Sequence, residues 1–138
     1  MPADERAGRR GRGTPGTLYL CPTPIGNLRD VTLRVLDVLR QVDLVLAEDT
    51  RRTRKLLQEY GIEVPLLSFH DANEERRLPR VLGLLEGGRS VALVADAGFP
   101  LMADPGYRLV REVIARDLPL TALPGPSAIL PALALSGL

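Results

Sequence analysis

Short apolar runs recur along the chain and alternate with longer amphipathic stretches. The runs cover residues 18–21, 43–47, 65–69, 90–95 and 119–123. Runs of this length, bounded by proline, glycine or charged residues, predict β-strands. The run at 90–95 is the most continuous, so it predicts a strand that is buried on both faces.

The stretches between these runs have helical periodicity. The first is predicted to begin at an Asp30 cap, and its apolar stripe comprises Val31, Val35, Leu36, Val38 and Leu39. The second is predicted to end near Tyr60, with Leu56 and Leu57 inward and Gly61 as its stop.

Further helices are predicted in the second half of the chain. One begins at Asn73, and Pro79 is predicted to divide it, because proline fits a first turn better than a helix interior. Another covers residues 107–116, and Ser127 is predicted to cap a last one.

Strands and helices in this alternation predict an α/β fold, with a mostly parallel five-stranded sheet and helices on both faces. Residues 1–16 are polar and rich in Gly and Arg and predict a flexible tail, which leaves 17–138 as the α/β domain. Parallel sheets bind ligands beyond the carboxyl ends of their strands. The segments expected there are PTPIGN, AEDTRRTRK, FHDANEE, DAGFPLMADPG and PGPSA.

Composition narrows the class of protein. The 138 residues are 45% hydrophobic and 25% charged, which is typical of one globular domain. No apolar run approaches the roughly 18 residues that span a bilayer, and the first residues do not form a secretory signal. The single Cys allows no disulfide within the chain, and with only one His a His/Cys metal cluster is not expected; a reducing cytoplasm fits best.

Charge is nearly balanced overall but concentrated locally. The net charge of +1 excludes a wholly basic coat, and 4% aromatics argue against a surface that stacks bases. AEDTRRTRK places four cations at the start of a helix, where each costs a few tenths of a kcal/mol against the helix dipole. A phosphate-bearing substrate would account for them, and a solvated helix face is the alternative. The four are Arg51, Arg52, Arg54 and Lys55.

Four of these five segments carry glycine, proline or clustered charge beyond what a simple turn requires. Gly26 gives a ligand room to approach PTPIGN, and Asp96 stands at the tip of a buried strand. His70 ends another strand, where a structural role is the first interpretation and catalysis the second. GRGTPG matches a dinucleotide pattern but precedes the first strand, so it does not predict a dinucleotide site.

Four segments in this order resemble the ribosomal RNA small subunit methyltransferase I family of the tetrapyrrole (corrin/porphyrin) methylase superfamily. They are LYLCPTPIGNLRDVT, LAEDTRRT, DAGFPLMADPGYRLV and PGPSA. The resemblance covers 17–138 and corresponds to the family's N-terminal domain, without its second domain. It implies S-adenosylmethionine-dependent methylation of a cytidine ribose 2′-hydroxyl in 16S ribosomal RNA of the small subunit. The resemblance also implies that the enzyme acts in the cytoplasm and forms a homodimer.

The resemblance also implies roles for individual residues. Cofactor contacts are expected at Pro24, Gly26, Asp96, Gly98, Met102, Ser127 and Ala128. RNA contacts are expected in AEDTR at Arg51 and Arg52, and the same cluster adds Arg54 and Lys55 as RNA-binding candidates; no metal is implied. Glu48 and Asp49 are the candidate bases for the ribose proton.

The chain departs from the family pattern at one motif, and two alternatives remain. The family usually reads SDAGTP where this chain has Ala95 and Phe99, so two hydroxyls are lost and bulk is added. A corrin or porphyrin methylase with the same domain is one alternative, although AEDTRRT and the absence of a GxGxGD loop argue against it. A non-catalytic binding module or fragment is the other.

Overall fold

The computed structural model describes residues 15–101 and 106–137. The strands are β1 (Leu18–Cys21), β2 (Leu44–Ala47), β3 (Leu66–Ser68), β4 (Val91–Val94) and β5 (Leu120–Ala122). The helices are α1 (Leu33–Gln41), α2 (Thr50–Glu59), α3 (Glu74–Glu86), α4 (Tyr107–Ala115) and α5 (Ile129–Ser136), with a short 3-10 turn at Leu28–Asp30. Each predicted strand is confirmed to within one residue at either end.

The strands form one sheet in the order β3-β2-β4-β1-β5, and every pairing in it is parallel. Leu20 in β1 lies beside Leu93 in β4, which in turn lies beside Leu46 in β2. These central strands are almost fully buried, because helices cover both faces of the sheet. The predicted parallel α/β sheet is therefore confirmed.

The two faces of the sheet carry separate pairs of helices. Buried residues of α1 and α2, such as Leu39 and Leu56, pack with Val45 on one face. Buried residues of α3 and α4, such as Leu85 and Leu109, pack on the other face. Chains leaving β1 and β2 thus turn to one face, and the chain leaving β4 between them turns to the other. Such a reversal opens a crevice at the carboxyl ends of these strands.

Two of the predicted helix boundaries were wrong. Thr32 rather than Asp30 caps α1, because the Thr32 hydroxyl accepts the Val35 N–H at 3.1 Å while Asp30 ends the 3-10 turn. Pro79 does not divide α3, which runs continuously through it. Pro79 and Glu75 are both exposed, so water can satisfy the Glu75 carbonyl that proline leaves without a donor. Gly61 does end α2, with a φ of +64°.

The ends of the described chain differ in their packing. Gly16, within the predicted tail, donates its N–H to Leu85 O at 2.8 Å, whereas residues 1–14 lie outside the described residues. The last helix, α5, is exposed throughout, with Leu133 50% and Leu135 89% exposed. Within the described residues, no helix combines the length and hydrophobicity needed to cross a membrane.

Candidate functional site

The loops after β1 and β4 are joined directly at the crevice. Thr23 donates its N–H to Gly98 O, and Gly98 donates its N–H to Thr23 O, both at 2.9 Å. The Thr23 hydroxyl also donates to Ala95 O at 3.1 Å. Thr23 is only 4% exposed, so these bonds are shielded from water and fix the two loops together.

Two glycines allow the loops to approach this closely. Gly98 has a φ of +79°, and a Cβ there would lie 3.4 Å from Ile25 Cγ2 and 3.9 Å from Pro126 O. Gly125 in the loop after β5 packs on Pro22, whose Cγ would be 2.5 Å from an added Cβ. Gly125 therefore has no room for a side chain against Pro22, whereas Gly98 is suited by its positive φ rather than by lack of space.

Asp96 connects the loop after β4 to the end of β2. Its Oδ1 accepts the Asp49 N–H at 3.0 Å, and Asp49 is the residue that caps α2. The other oxygen, Oδ2, has no hydrogen-bond donor among the described residues. Asp96 therefore presents one carboxylate oxygen for a ligand while the other oxygen fixes the start of α2.

A cavity of about 410 Å³ lies between these loops and α2, a size typical of a small-molecule site. We call it the central cavity. Its lining residues are Thr23, Pro24, Ile25, Gly26, Leu28, Arg52, Thr53, Lys55, Leu56, Ala95, Asp96 and Ala97. It thus brings together three predicted cofactor residues, Pro24, Gly26 and Asp96, with two of the predicted RNA-binding cations.

A second cavity, of about 460 Å³, lies on the other side of Ile25. We call it the lateral cavity. Its lining residues are Ile25, Asp30, Thr32, Gly125, Pro126, Ser127, Leu130 and Pro131. Predicted cofactor residue Ser127 lies here, and its hydroxyl accepts the Ile129 N–H at 3.2 Å at the start of α5. The predicted capping role of Ser127 thus corresponds to an observed bond, although Ala128 occupies the N-cap position.

The remaining predicted cofactor residues line neither cavity. Gly98 is buried behind Ile25, and Ala128 is exposed before α5. Met102 lies outside the described residues. The roles assigned to these residues stay predictions.

The candidate bases lie beside the central cavity and do not line it. The Asp49 carboxylate accepts the Arg51 N–H at 2.9 Å and pairs with the Arg51 guanidinium at 3.1–3.2 Å. These bonds to Arg51 hold the pKa of Asp49 below its usual value, so its carboxylate is a weaker base than an ordinary one. Glu48 is half-buried at the end of β2 and keeps the role of candidate base as a prediction.

The two departures from the family motif have different positions. Ala95 lines the central cavity, so the missing hydroxyl does leave that wall less polar. Phe99 instead packs against the core on the side of α3 and α4. Its bulk therefore lies against the core, and Phe99 is not among the residues that line the cavity.

Other candidate groups lie apart from the cavity. The His70 ring nitrogen Nε2 is 3.0 Å from Asn73 Nδ2, and the His70 N–H donates to Asn73 Oδ1 at 2.8 Å, which is a local bond at the start of α3. Residues 15–101 and 106–137 contain no group of three His, Cys, Asp or Glu side chains placed to hold a metal.

Sequence reasoning missed Thr23, the residue that joins the loops. A polar residue between two prolines, directly after a buried strand, was the available indication. It also missed that Ile25 and Leu28 would be exposed, at 44% and 39%, and give the cavity an apolar wall.

A doubly wound parallel sheet with a cavity at its strand reversal defines a ligand-binding α/β domain. The chain belongs to the tetrapyrrole (corrin/porphyrin) methylase family, whose model matches residues 17–138.

Similar proteins fall into two groups. The chain is 52% identical to a ribosomal RNA small subunit methyltransferase I from Thermotoga maritima, over 88% of this chain and 55% of that protein. It is 50% identical to a protein of the same name from Escherichia coli O157:H7, over 89% of this chain and 43% of that protein. The chain therefore spans about half the length of these curated relatives.

Solved structures share the fold at low identity. The cobalt precorrin-4 methyltransferase CbiF superposes with a TM-score of 0.67 at 18% identity, over 99% of this chain and 53% of that one. The uroporphyrin-III-C-methyltransferase of Thermus thermophilus gives 0.65 at 24% identity, over 89% of this chain and 53% of that one. At these identities the likeness concerns the fold alone.

Proposed function

We propose that this chain forms the N-terminal domain, residues 17–138, of an S-adenosylmethionine-dependent methyltransferase. Its acceptor is a cytidine ribose 2′-hydroxyl in 16S ribosomal RNA of the small subunit. The observation that carries the proposal is the central cavity, in which a carboxylate after β4 faces two cations of α2. Relatives at about 50% identity whose names state ribosomal RNA methylation support the same assignment.

The residues of the central cavity fit this cofactor. Ile25 and Leu28 offer exposed apolar surface to a nucleoside base, and an added Cβ at Gly26 would meet nothing within 4 Å, so a flat group has room there. Asp96 Oδ2 can accept a hydrogen bond from a ribose hydroxyl or an amino group. The bound cofactor supplies a methyl group activated by its sulfonium.

The protein's contribution to the reaction is mainly positioning. The loops fixed by Thr23 and Gly98 hold the cavity wall in place, so the ribose oxygen can be kept in line with the methyl group. The hydroxyl proton must leave as the new bond forms, and Glu48 and Asp49 are the candidate acceptors; the lowered pKa of Asp49 counts against that residue. The basic residues of α2 attract the RNA backbone.

The wider setting is part of the proposal. The enzyme acts in the cytoplasm, where small ribosomal subunits are made, and two copies associate. The exposed apolar side chains of α5 support further association, because an unpaired apolar helix favours burial. Light scattering of the purified chain tests the dimer.

The function is tested by cofactor titration followed by a transfer assay. Calorimetry should give saturable binding of S-adenosylmethionine. Labelled methyl transfer to small subunits that lack the modification should appear, after digestion, as 2′-O-methylcytidine. Gly26→Leu should fill the cavity and weaken cofactor binding at least tenfold, while Gly83→Leu on the exposed side of α3 should not. Equal loss of cofactor binding in the Gly26 and Gly83 variants would refute the central cavity as the cofactor site, and transfer to a tetrapyrrole in place of RNA would assign the other acceptor.

A further inference from the structure

The four cations of α2 do not share one environment, although the sequence groups them. Thr53 and Leu56 are buried against the sheet, and Arg52 and Lys55 flank them at the wall of the central cavity. Residues three apart on a helix are neighbours on its surface, so these two cations lie side by side. All four cations are exposed, but Arg51 and Arg54 line neither cavity.

Arg51 already has a partner. Its Nε lies 3.2 Å from Asp49 Oδ1, and its Nη2 lies 3.1 Å from Asp49 Oδ2. The same carboxylate caps the helix through the Arg51 N–H. Asp49 therefore compensates the charge of Arg51, and this pair belongs to the start of α2.

The cavity wall, in contrast, has an excess of positive charge. Arg52 and Lys55 form no ion pair with another described residue, and Asp96 is the one carboxylate among the described lining residues. Asp96 also lies on the opposite loop, with Oδ1 engaged by the Asp49 N–H. Asp49, whose carboxylate pairs with Arg51, attracts Arg52 through space, and Asp96 lines the same wall. The two cations of the wall therefore still outnumber its one carboxylate, and an anion placed between them would be stabilised.

We propose that Arg52 and Lys55 form a phosphate-binding subsite in the central cavity, which holds a phosphate next to the nucleotide that is methylated. The identification of this phosphate as part of an RNA strand rests on the proposed function. A guanidinium fork beside an ammonium group can engage several oxygens of one phosphate or of two adjacent ones. The subsite thus places the strand at the cavity, whereas Arg51 stabilises the helix start.

The subsite is tested first with a small probe. Calorimetric titration with cytidine 5′-monophosphate, beside cytidine alone, measures what the phosphate adds to affinity. Arg52→Gln with Lys55→Gln should abolish that addition, a loss of at least tenfold. The matched double variant Arg34→Gln with Arg40→Gln removes the same charge from α1 and should leave the affinity unchanged.

A second comparison tests whether Arg52 and Lys55 bind phosphate more strongly than Arg51 and Arg54 do. Arg51→Gln with Arg54→Gln should weaken monophosphate binding by much less than the Arg52 and Lys55 pair does. Equal losses in the two double variants would overturn the proposal, because the effect would then follow from net charge. Equal binding of cytidine and its monophosphate by the unaltered chain would also overturn it.

Ribosomal subunits separate this proposal from the proposed function. Loss of two phosphate contacts to a single strand should lower the salt dependence of subunit binding by about 1.4 in the log–log slope. If the chain binds the monophosphate through Arg52 and Lys55 but transfers no methyl group to subunits, the proposed function is refuted and the phosphate-binding subsite is retained. If the Arg52 and Lys55 double variant methylates subunits as well as the unaltered chain does, the phosphate-binding subsite is refuted and the proposed function is retained.

Discussion

Thr23→Val tests whether the loops of the cavity depend on one buried hydroxyl. Valine has nearly the same shape as threonine, so the substitution removes the hydrogen bond to Ala95 O without opening a cavity. The backbone bonds between Thr23 and Gly98 do not involve the side chain and remain possible. The variant therefore isolates the contribution of the hydroxyl.

The magnitude follows from burial on both sides of the bond. Thr23 is 4% and Ala95 3% exposed, so the carbonyl that loses its donor cannot readily bind water. Leaving a buried partner unsatisfied costs about 1–3 kcal/mol. In a domain of this size, that corresponds to a fall in Tm on the order of 3–10 °C. Urea unfolding and thermal unfolding both measure it.

Thr121→Val is the matched control. Thr121 lies half-buried in β5, and its hydroxyl has no hydrogen-bond partner among the described residues, so the same substitution should change stability by less than about 0.5 kcal/mol. Thr23→Ser keeps the hydroxyl and should retain cofactor affinity that Thr23→Val loses. Equal effects of the Thr23 and Thr121 variants would refute the reasoning that this bond holds the loops.

Three further substitutions or treatments have definite expected outcomes. Gly125→Ala should destabilise the fold by about 1–3 kcal/mol in urea, because its Cβ would lie 2.5 Å from Pro22 Cγ, whereas Gly83→Ala, with open space in α3, should stabilise by about 0.5–1 kcal/mol. Asp49→Asn keeps the helix cap but removes the carboxylate, whose pKa is lowered in the native state. The ionised carboxylate stabilises the fold above its unfolded pKa of about 3.9, and this stabilisation is lost as the pH falls through the native pKa. The urea midpoint of the unaltered chain should therefore exceed that of the variant by less as the pH is lowered. A constant advantage across that range would contradict the assignment. Burial raises the pKa of Cys21 to about 12, so iodoacetamide at about pH 8 should modify it only in the unfolded protein, and rapid alkylation of the native chain would show that the thiol is accessible.

The strands and most helix ends could be predicted from the sequence because they depend on residues that are close together in the chain. Apolar runs bounded by turn residues define the strands, and Gly61 ends α2 because glycine accepts a positive φ. The wrong boundaries also have local causes, which compete closely. Asp30 and Thr32 are both good caps, and only the preceding 3-10 turn decides for Thr32. Pro79 is tolerated because its side of α3 faces water.

The site could be located from the sequence but not resolved into roles. Carboxyl ends of parallel strands direct attention to the correct loops, since all of them meet at one edge. The bond between Thr23 and Ala95 joins residues 72 positions apart, and no local pattern reveals such a partner. The four cations likewise stand together in the sequence, and only the position of the central cavity shows that Arg52 and Lys55 line it while Arg51 does not.

Asp96 makes the two halves of the site interdependent. One oxygen accepts the Asp49 N–H at the start of α2, and the carboxylate also lines the central cavity that Arg52 of the same helix lines. A cofactor that hydrogen-bonds to this carboxylate would therefore also affect the start of α2, the helix that carries the proposed phosphate-binding cations. Coupling between two binding free energies is reciprocal, so a phosphate held by Arg52 must alter cofactor affinity by the same factor. A loss of methylation in an Asp96 variant consequently cannot be assigned to cofactor binding alone, and the affinities for cofactor and for cytidine 5′-monophosphate have to be measured together, each in the presence and absence of the other.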